Sequence, residues 1–237
     1  MTDGMTREVR IDFDRLDRIG FTEAVLCQGK TPGQIGAALE QARDRGAAML
    51  LTRLDEPVFR ELEPTLRDRI DYDPQSRTGI YGDWAAPAGP PRIAVVTAGT
   101  TDLPVAREAV RTLGFYGVAA KAIADVGVAG LWRLLEQKDE ICRYPVLIVV
   151  AGMDGALFSV LGGLAQSVII AVPTSTGYGA TRGGRTALDS ALVSCAPGVV
   201  AVNVDNGYGG ACAAMRVLRA INTATVETGY DLLDAAD

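Results

Sequence analysis

One cysteine is the first candidate for chemistry, because the chain contains no histidine. Cys195 lies in the run Ser194-Cys195-Ala196-Pro197-Gly198. The missing histidine removes the commonest general acid–base and the usual activator of a nucleophilic Ser or Cys. Catalysis would therefore have to use carboxylates, Cys, Lys, Tyr, backbone amides or a cofactor.

The predicted position of Cys195 leaves two interpretations open. The residue falls at the end of a predicted helix, where the helix dipole does not favour a thiolate. A free cysteine is also commonly a small buried hydrophobe. The residues alone therefore favour a structural role for Cys195 over a catalytic one.

The other candidate residues follow predicted strands, in segments that combine glycines with hydroxyl, amide or acidic side chains. Such segments suit phosphate, ribose or ring binding at the carboxyl ends of parallel strands. The candidates are Gly99, Thr100, Thr101, Asp102, Gly152, Met153, Asp154, Gly155, Ser175, Thr176, Gly177, Tyr178, Gly179, Asp205 and Asn206. Several have a structural alternative, because Asp102, Asp154 and Asn206 also suit helix caps and Tyr178 also suits a core.

The segment 173–184 is long for a connection between a strand and a helix, where about 2–6 residues are usual. It contains four glycines and four Ser or Thr side chains. Loops of this length are often functional. Arg182 within it is suited to pairing with an anionic ligand, or to simple solvation.

A regular fold must position these segments, and the apolar pattern in the second half of the chain predicts such a fold. Apolar runs that suit strands buried on both faces alternate with helix-length segments, which predicts a five-stranded parallel, doubly wound α/β sheet. The predicted strands are 92–97, 118–124, 146–151, 168–173 and 199–204. The predicted helices are 103–114, 127–136, 154–166, 183–194 and 207–222.

The first part of the chain predicts a small α+β domain. Short helices are predicted over 13–19 and 58–66, strands over 24–27 and 49–53, and a hairpin over 72–81. Thr31, Pro32 and Gln34 form a helix-start signal, which predicts a helix from there to about residue 45.

The Pro- and Gly-rich run 85–91 predicts a linker between the two domains. We therefore expect an N-terminal α+β domain over 1–84, a catalytic α/β domain over 92–223 and a C-terminal tail over 224–237. The length of 237 residues suits this arrangement.

Composition excludes several functional classes. The net charge of −6 argues against a general nucleic-acid binder. The polar N-terminus predicts no signal peptide, and no apolar run is long enough to span a bilayer. Four widely spaced cysteines predict neither a zinc site nor a disulfide framework, so we expect a reducing, cytoplasmic setting.

Taken together, several runs resemble the nickel-pincer cofactor biosynthesis family LarB, whose C-terminal domain is similar to AIR carboxylase of the PurE type. These runs are TAGTTDLPVAREA (97–109), DVGVAGLWRLL (125–135), VVAGMDGAL (149–157), AVPTSTGYGA (171–180) and SCAPGVVAVNVDNGYGG (194–210). GFTEAVLCQGKTPGQ (20–34) and DYDPQSRT (71–78) also look like this family, so the resemblance spans nearly the whole chain.

The resemblance implies a flavodoxin- and PurE-like fold and a reaction. LarB carboxylates nicotinic acid adenine dinucleotide at pyridinium C5 through a cysteinyl adduct at C4, with CO₂ or bicarbonate as co-substrate. It then hydrolyses the phosphoanhydride and releases AMP. The family's cysteine falls on Cys195 and its acidic group on Asp154, where Glu is usual; Phe158 stands where proline is usual.

The resemblance further implies a homo-octamer with sites near subunit contacts. Anhydride hydrolysis points to a divalent ion such as Mg²⁺, whose ligands are unknown, although Asp102 and Asp205 are candidates. Three alternatives stay open: an AIR carboxylase or mutase, a related carboxylase for another heteroaromatic nucleotide, and a non-enzymatic nucleotide-binding or assembly protein. The missing histidine counts against the first, because purine enzymes of this kind use one.

Overall fold

A computed structural model describes residues 8–228, with side chains up to residue 223. The chain divides into two compact units, with the boundary between Ala86 and Pro87. Among the residues described, no helix is long and apolar enough to cross a membrane.

The first unit is a small α+β arrangement. Its four-stranded mixed sheet has the order β1-β2-β4-β3, in which β1 and β2 are parallel and β4 is antiparallel to both neighbours. The elements are α1 (Arg15–Ile19), β1 (Val25–Leu26), α2 (Pro32–Asp44), β2 (Met49–Thr52), α3 (Glu56–Arg60), α4 (Pro64–Arg67), β3 (Ile70–Asp73) and β4 (Thr78–Tyr81).

The predicted start of α2 is confirmed in atomic detail. The Thr31 hydroxyl accepts the backbone N–H of Gln34, and the Gln34 side chain accepts the backbone N–H of Thr31. Two otherwise unpaired donors at the helix start are thereby satisfied. The single helix predicted over 58–66 is wrong, because the chain forms α3 and α4, and Pro64 at the start of α4 lacks the N–H that would continue α3.

The second unit is an α/β domain built on a five-stranded, all-parallel sheet of order β6-β5-β7-β8-β9, as predicted. The elements are β5 (Ala88–Thr97), α5 (Leu103–Phe115), β6 (Val118–Ile123), α6 (Leu131–Ile141), β7 (Val146–Ala151), α7 (Ala156–Leu164), β8 (Val168–Pro173), α8 (Arg185–Leu192), β9 (Val199–Ala201) and α9 (Gly207–Thr228).

The boundaries of some elements differ from those predicted. Strand β5 begins at Ala88, inside the predicted linker 85–91, because Ala88 already pairs with Val118 before an irregularity in the ladder. The two prolines at 90 and 91 fall in that irregular stretch, where no regular ladder bond is lost. Strand β9 is shorter than predicted. Helix α9 continues to Thr228, into the predicted tail 224–237, the rest of which lies outside the described residues.

The core of the second unit explains the apolar runs in the sequence. All six residues of β7 are buried, as expected for a central strand with helices on both faces. Phe158 of α7 is fully buried in the cluster that includes Leu157 and Leu161. The strand-end segments are thus held by a rigid, close-packed layer.

Candidate functional site

The parallel sheet gathers the candidate segments at one edge. Because all five strands run in the same direction, the segments that follow β5, β7, β8 and β9 all leave the carboxyl ends of the strands. The ladder pairs Thr97 with Val150 and Ala151 with Pro173, so the first three of these segments begin at nearly the same height.

Asp102 connects two of the segments. Its side chain is only 2% exposed, and it accepts the hydroxyl of Thr174 at 2.6 Å and the backbone N–H of Gly99 at 2.9 Å. Burial raises the pKa of the Asp102 carboxyl, and these hydrogen bonds oppose the rise. Asp102 therefore lies inside the site as a buried acceptor.

The segments after β7 and β8 lie in direct contact. The backbone N–H of Met153 donates to the carbonyl of Thr176 at 2.8 Å. A Cβ atom at Gly152 would lie 2.5 Å from both the Thr174 hydroxyl and the Thr176 carbonyl, so only glycine fits there. This contact fixes the distance between the two loops.

The segment after β9 contacts the segment after β8. The Asp205 carboxylate accepts the backbone N–H of Ser175 at 2.8 Å, and Asp205 has a left-handed backbone with φ of 53°. Asn206 accepts the N–H of Gly209 at 2.8 Å and so acts as a cap for α9, which was one of its two predicted roles.

Asp154 lies at the same edge of the sheet, in the segment between β7 and α7. Its side chain is exposed, and its carboxylate accepts the backbone N–H of Ala156 at 3.1 Å. The N-cap of α7 is Gly155, so Asp154 is not the N-cap that its position before the helix also suited; its carboxylate accepts the N–H of the first helical residue from outside the helix. An exposed carboxylate with a fixed direction can also act as a base toward a bound molecule.

Other predicted residues present their side chains to solvent on the same loops. Thr100, Thr101 and Ser175 are exposed, and Tyr178 is 82% exposed, so Tyr178 is not a core residue. Arg182 is exposed as well and has a left-handed backbone with φ of 50°. These exposed side chains lie on the loops at the carboxyl edge of the sheet, where a ligand can contact them.

Cys195 is exposed rather than buried, so the structural interpretation that its sequence context favoured is not supported. Helix α8 ends at Leu192, and Cys195 lies in the turn that enters the amino end of β9. The Ser194 hydroxyl lies 2.7 Å from the Ser159 hydroxyl of α7 and accepts the N–H of Ala196 at 3.2 Å. These two bonds hold the turn that presents the thiol.

Within one chain, Asp154 and the Cys195 turn contact different parts of α7. The Cys195 turn lies beside Ser159 in the middle of α7, whereas Asp154 precedes the start of that helix. Asp154 and Gly155 precede the helix, and the step from Ala156 to Ser159 advances about 4.5 Å along the helix axis. The thiol and the carboxylate therefore flank α7 at different heights.

Two further features were not among the predicted site residues. Thr174 is buried and donates to Asp102, and the only sequence signal for it was a hydroxyl directly after β8. The loop after β6 also joins the site, because Val126 N–H donates to the carbonyl of Thr97 at 3.0 Å. In that loop Asp125 forms an ion pair with Arg133, beside a groove of about 470 Å³ between β6 and α6.

The candidate metal ligands do not form a metal centre. Among residues 8–228, no group of three or more acidic or cysteine side chains is arranged to hold an ion. The oxygens of Asp102 already accept protein hydrogen bonds, and Asp205 binds the Ser175 N–H. These residues thus supply no preformed all-protein cage, and a Mg²⁺ ion at this edge would take most of its ligands from substrate phosphates and water.

Comparison with known proteins agrees with the division into two units. A family model described as AIR carboxylase matches residues 92–230, and a model described as LarB/PurE-like N-terminal domain matches residues 5–83. An uncharacterised protein of Methanocaldococcus jannaschii is 34% identical over 212 residues, which cover 85% of this chain and 80% of that protein.

Proposed function

Because this chain belongs to the AIR carboxylase family and carries a LarB/PurE-like N-terminal domain, we propose that it carboxylates nicotinic acid adenine dinucleotide. The proposed product of the first reaction carries a second carboxylate, at pyridinium C5. Hydrolysis of the phosphoanhydride then releases AMP and pyridinium-3,5-biscarboxylate mononucleotide.

The observation that carries this proposal is the exposed thiol of Cys195. Carboxylation at C5 needs a nucleophile, because a pyridinium ring is electron-poor and its C5 does not attack CO₂. An accessible thiolate solves this problem by adding to the ring. The positive charge of the pyridinium favours the thiolate in the bound complex.

The covalent step balances without an external oxidant or reductant. The Cys195 sulfur forms a bond to C4, and the electron pair makes C5 an enamine carbon. C5 attacks CO₂ and forms the new carbon–carbon bond. A base removes the C5 proton, the ring becomes aromatic again, and the C4–S bond breaks to return the thiolate.

Asp154 is the base in this proposal. Its carboxylate is exposed and oriented by the N–H of Ala156, so it can receive the C5 proton. The backbone N–H groups and hydroxyls of the strand-end loops, such as those of Thr100, Thr101 and Ser175, are proposed to hold the phosphates. No step is derived through a metal ion.

We further propose that the site is completed by a second copy of the chain within a homo-octamer. C4 and C5 are neighbouring ring atoms, whereas Cys195 and Asp154 of one chain lie at different heights along α7. Leu192, Val193 and Val200, close to Cys195, are 65%, 79% and 49% exposed. Exposed apolar patches of this kind mark protein contacts.

The proposal is tested by incubation of the protein with nicotinic acid adenine dinucleotide, bicarbonate and Mg²⁺, with products followed by mass spectrometry. We expect AMP and a mononucleotide with two carboxylates. Turnover of aminoimidazole ribonucleotide instead would identify a purine enzyme, although the chain contains no histidine. Absence of any carboxylated product from either compound would contradict the proposal.

Replacement of Asp154 by asparagine is expected to slow carboxylation by about 100-fold, because the amide cannot remove the C5 proton. The amide oxygen can still accept the Ala156 N–H, so thermal stability should not change. The matched control is Asp154→Glu, which keeps the carboxylate and lengthens its reach, and which should retain activity. Equal rates for the Asn variant and the unmodified protein would exclude Asp154 as the base.

A further inference from the structure

The Cys195 turn, residues 194–198, rests on one face of helix α7. Ser159 and Gly162 lie three residues apart in α7, so their side-chain positions share a face of this helix. The Ser159 hydroxyl lies 2.7 Å from the Ser194 hydroxyl, which also accepts the N–H of Ala196. A single side chain of α7 is thereby linked to the residues on both sides of Cys195.

Gly162 lies where α7 and the turn approach each other closely. A Cβ atom at Gly162 would lie 2.8 Å from the Ala196 Cβ and 3.1 Å from the Val199 Cγ2. Non-bonded carbon atoms pack at about 3.5–4.0 Å, so the turn can lie this close to α7 only over a glycine. Gly163, the next residue of the same helix, has open space at its Cβ position.

The close contact at Gly162 comes at the expense of the helix, because glycine favours a helix less than alanine does. Ser194 and Ala196 are half-buried, whereas Cys195 between them is exposed. The contact with α7 therefore fixes the neighbours of Cys195 and leaves the thiol residue itself accessible.

We infer that Gly162 and Ser159 are positioning residues, which set the distance between the Cys195 turn and α7 and thereby the position of the sulfur toward the substrate ring. The inference rests on the proposed function for the role of the thiol, but the contacts between turn and helix do not depend on that function. A reacting atom displaced by about 1 Å can slow a reaction about 100-fold.

Helix α7 is the fixed partner in this contact. Leu157, Phe158 and Leu161 of α7 are buried in the core of the second unit, with exposed fractions of 1% or less. The Cys195 turn lies at the surface. When a side chain is added at position 162, we therefore expect the turn to move and the helix to stay in place.

The first test compares Gly162→Ala with Gly163→Ala in steady-state kinetics with nicotinic acid adenine dinucleotide. The change at Gly162 should lower kcat about 10- to 100-fold, because the turn is displaced. KM should change little, because the loops proposed to hold the phosphates are untouched. Gly163→Ala makes the same chemical change in open space and should leave kcat unchanged. A Gly162→Ala protein as fast as Gly163→Ala would overturn the inference.

The second test is rescue by a change on the opposite side of the contact. Ala196→Gly removes the Cβ atom that an alanine at position 162 would meet. The double variant Gly162→Ala/Ala196→Gly should therefore recover most of the lost kcat, measured against Ala196→Gly alone. A general loss of stability would not be reversed by this change. A double variant no faster than Gly162→Ala would contradict the contact as the cause.

The third test is amide hydrogen exchange over residues 194–200 without substrate. In Ser159→Ala the Ser194 hydroxyl loses its partner, so exchange in this segment should be about fivefold faster, whereas Gly163→Ala should exchange like the unmodified protein. Equal exchange in Ser159→Ala and the unmodified protein would show that α7 does not hold the turn, and would overturn the inference. Because this measurement uses no substrate, absent turnover in the unmodified protein would count against the proposed function alone.

Discussion

The Cys195→Ser variant is expected to lose carboxylation by at least about 1000-fold, which corresponds to about 4 kcal/mol of transition-state stabilisation. A serine hydroxyl is a far weaker nucleophile than a thiolate, and no histidine is present to activate it. Without addition at C4, C5 of the ring cannot attack CO₂. The variant should fold normally, because Cys195 is exposed.

The matched control for this prediction is Cys142→Ser. The Cys142 thiol lies outside the loops described above, and its Sγ donates to the carbonyl of Leu164 at 3.5 Å, a bond that a serine hydroxyl can replace. We expect the control to retain full activity. Product formation by mass spectrometry, combined with a search for a substrate adduct on the Cys195 peptide, measures both variants. A Cys195→Ser protein with more than about a tenth of normal activity would exclude the covalent route.

Replacement of Phe158 by alanine should destabilise the second unit by about 3–5 kcal/mol. Phe158 is fully buried, and its ring packs closely against Gly155, where a Cβ atom would lie 2.8 Å from the ring. Removal of the ring leaves a cavity below the start of α7. Urea unfolding measures the loss of stability, and hydrogen exchange in β7 and β2 shows whether it is confined to the second unit.

Phe115→Ala is the comparison for this change. Phe115 is half-buried at the end of α5 and contacts Tyr116 edge-to-face at 5.0 Å. The replacement removes the same side chain from a half-buried position, so we expect the free energy of unfolding to fall by only about 1 kcal/mol. If both variants lost the same stability, burial at position 158 would not be the cause.

Features governed by local chemistry could be predicted from the sequence. Thr31 and Gln34 lie three residues apart, and their side chains satisfy the first turn of α2 as that spacing requires. The parallel sheet followed from the length and alternation of the apolar runs, and the parallel topology then placed the candidate loops at one edge. Even so, local signals misjudged the helix at 58–66, since a proline can either start or end a helix.

Features that depend on contacts between distant residues could not be predicted in this way. The sequence around Cys195 did not reveal its exposure, because burial of a small residue is decided by the neighbouring α7 and by the early end of α8. The role of Thr174 was also hidden, because its partner Asp102 is 72 residues away in the chain. Spacing along the sequence shows which loops meet but not which hydrogen bonds they share.

The cluster of donors around Asp102 also limits how such a protein can evolve. Loss of the carboxylate alone would leave the buried Thr174 hydroxyl and the Gly99 N–H without their acceptor, so changes at these positions are expected to be epistatic. Thr100 and Tyr178 are exposed on the same loops, so their replacement leaves no buried donor without its acceptor. New substrate specificity can therefore arise through single substitutions at the exposed loop positions. Asp102 and Thr174, which lie beneath them, are expected to change only together, because the Thr174 hydroxyl donates to the Asp102 carboxylate.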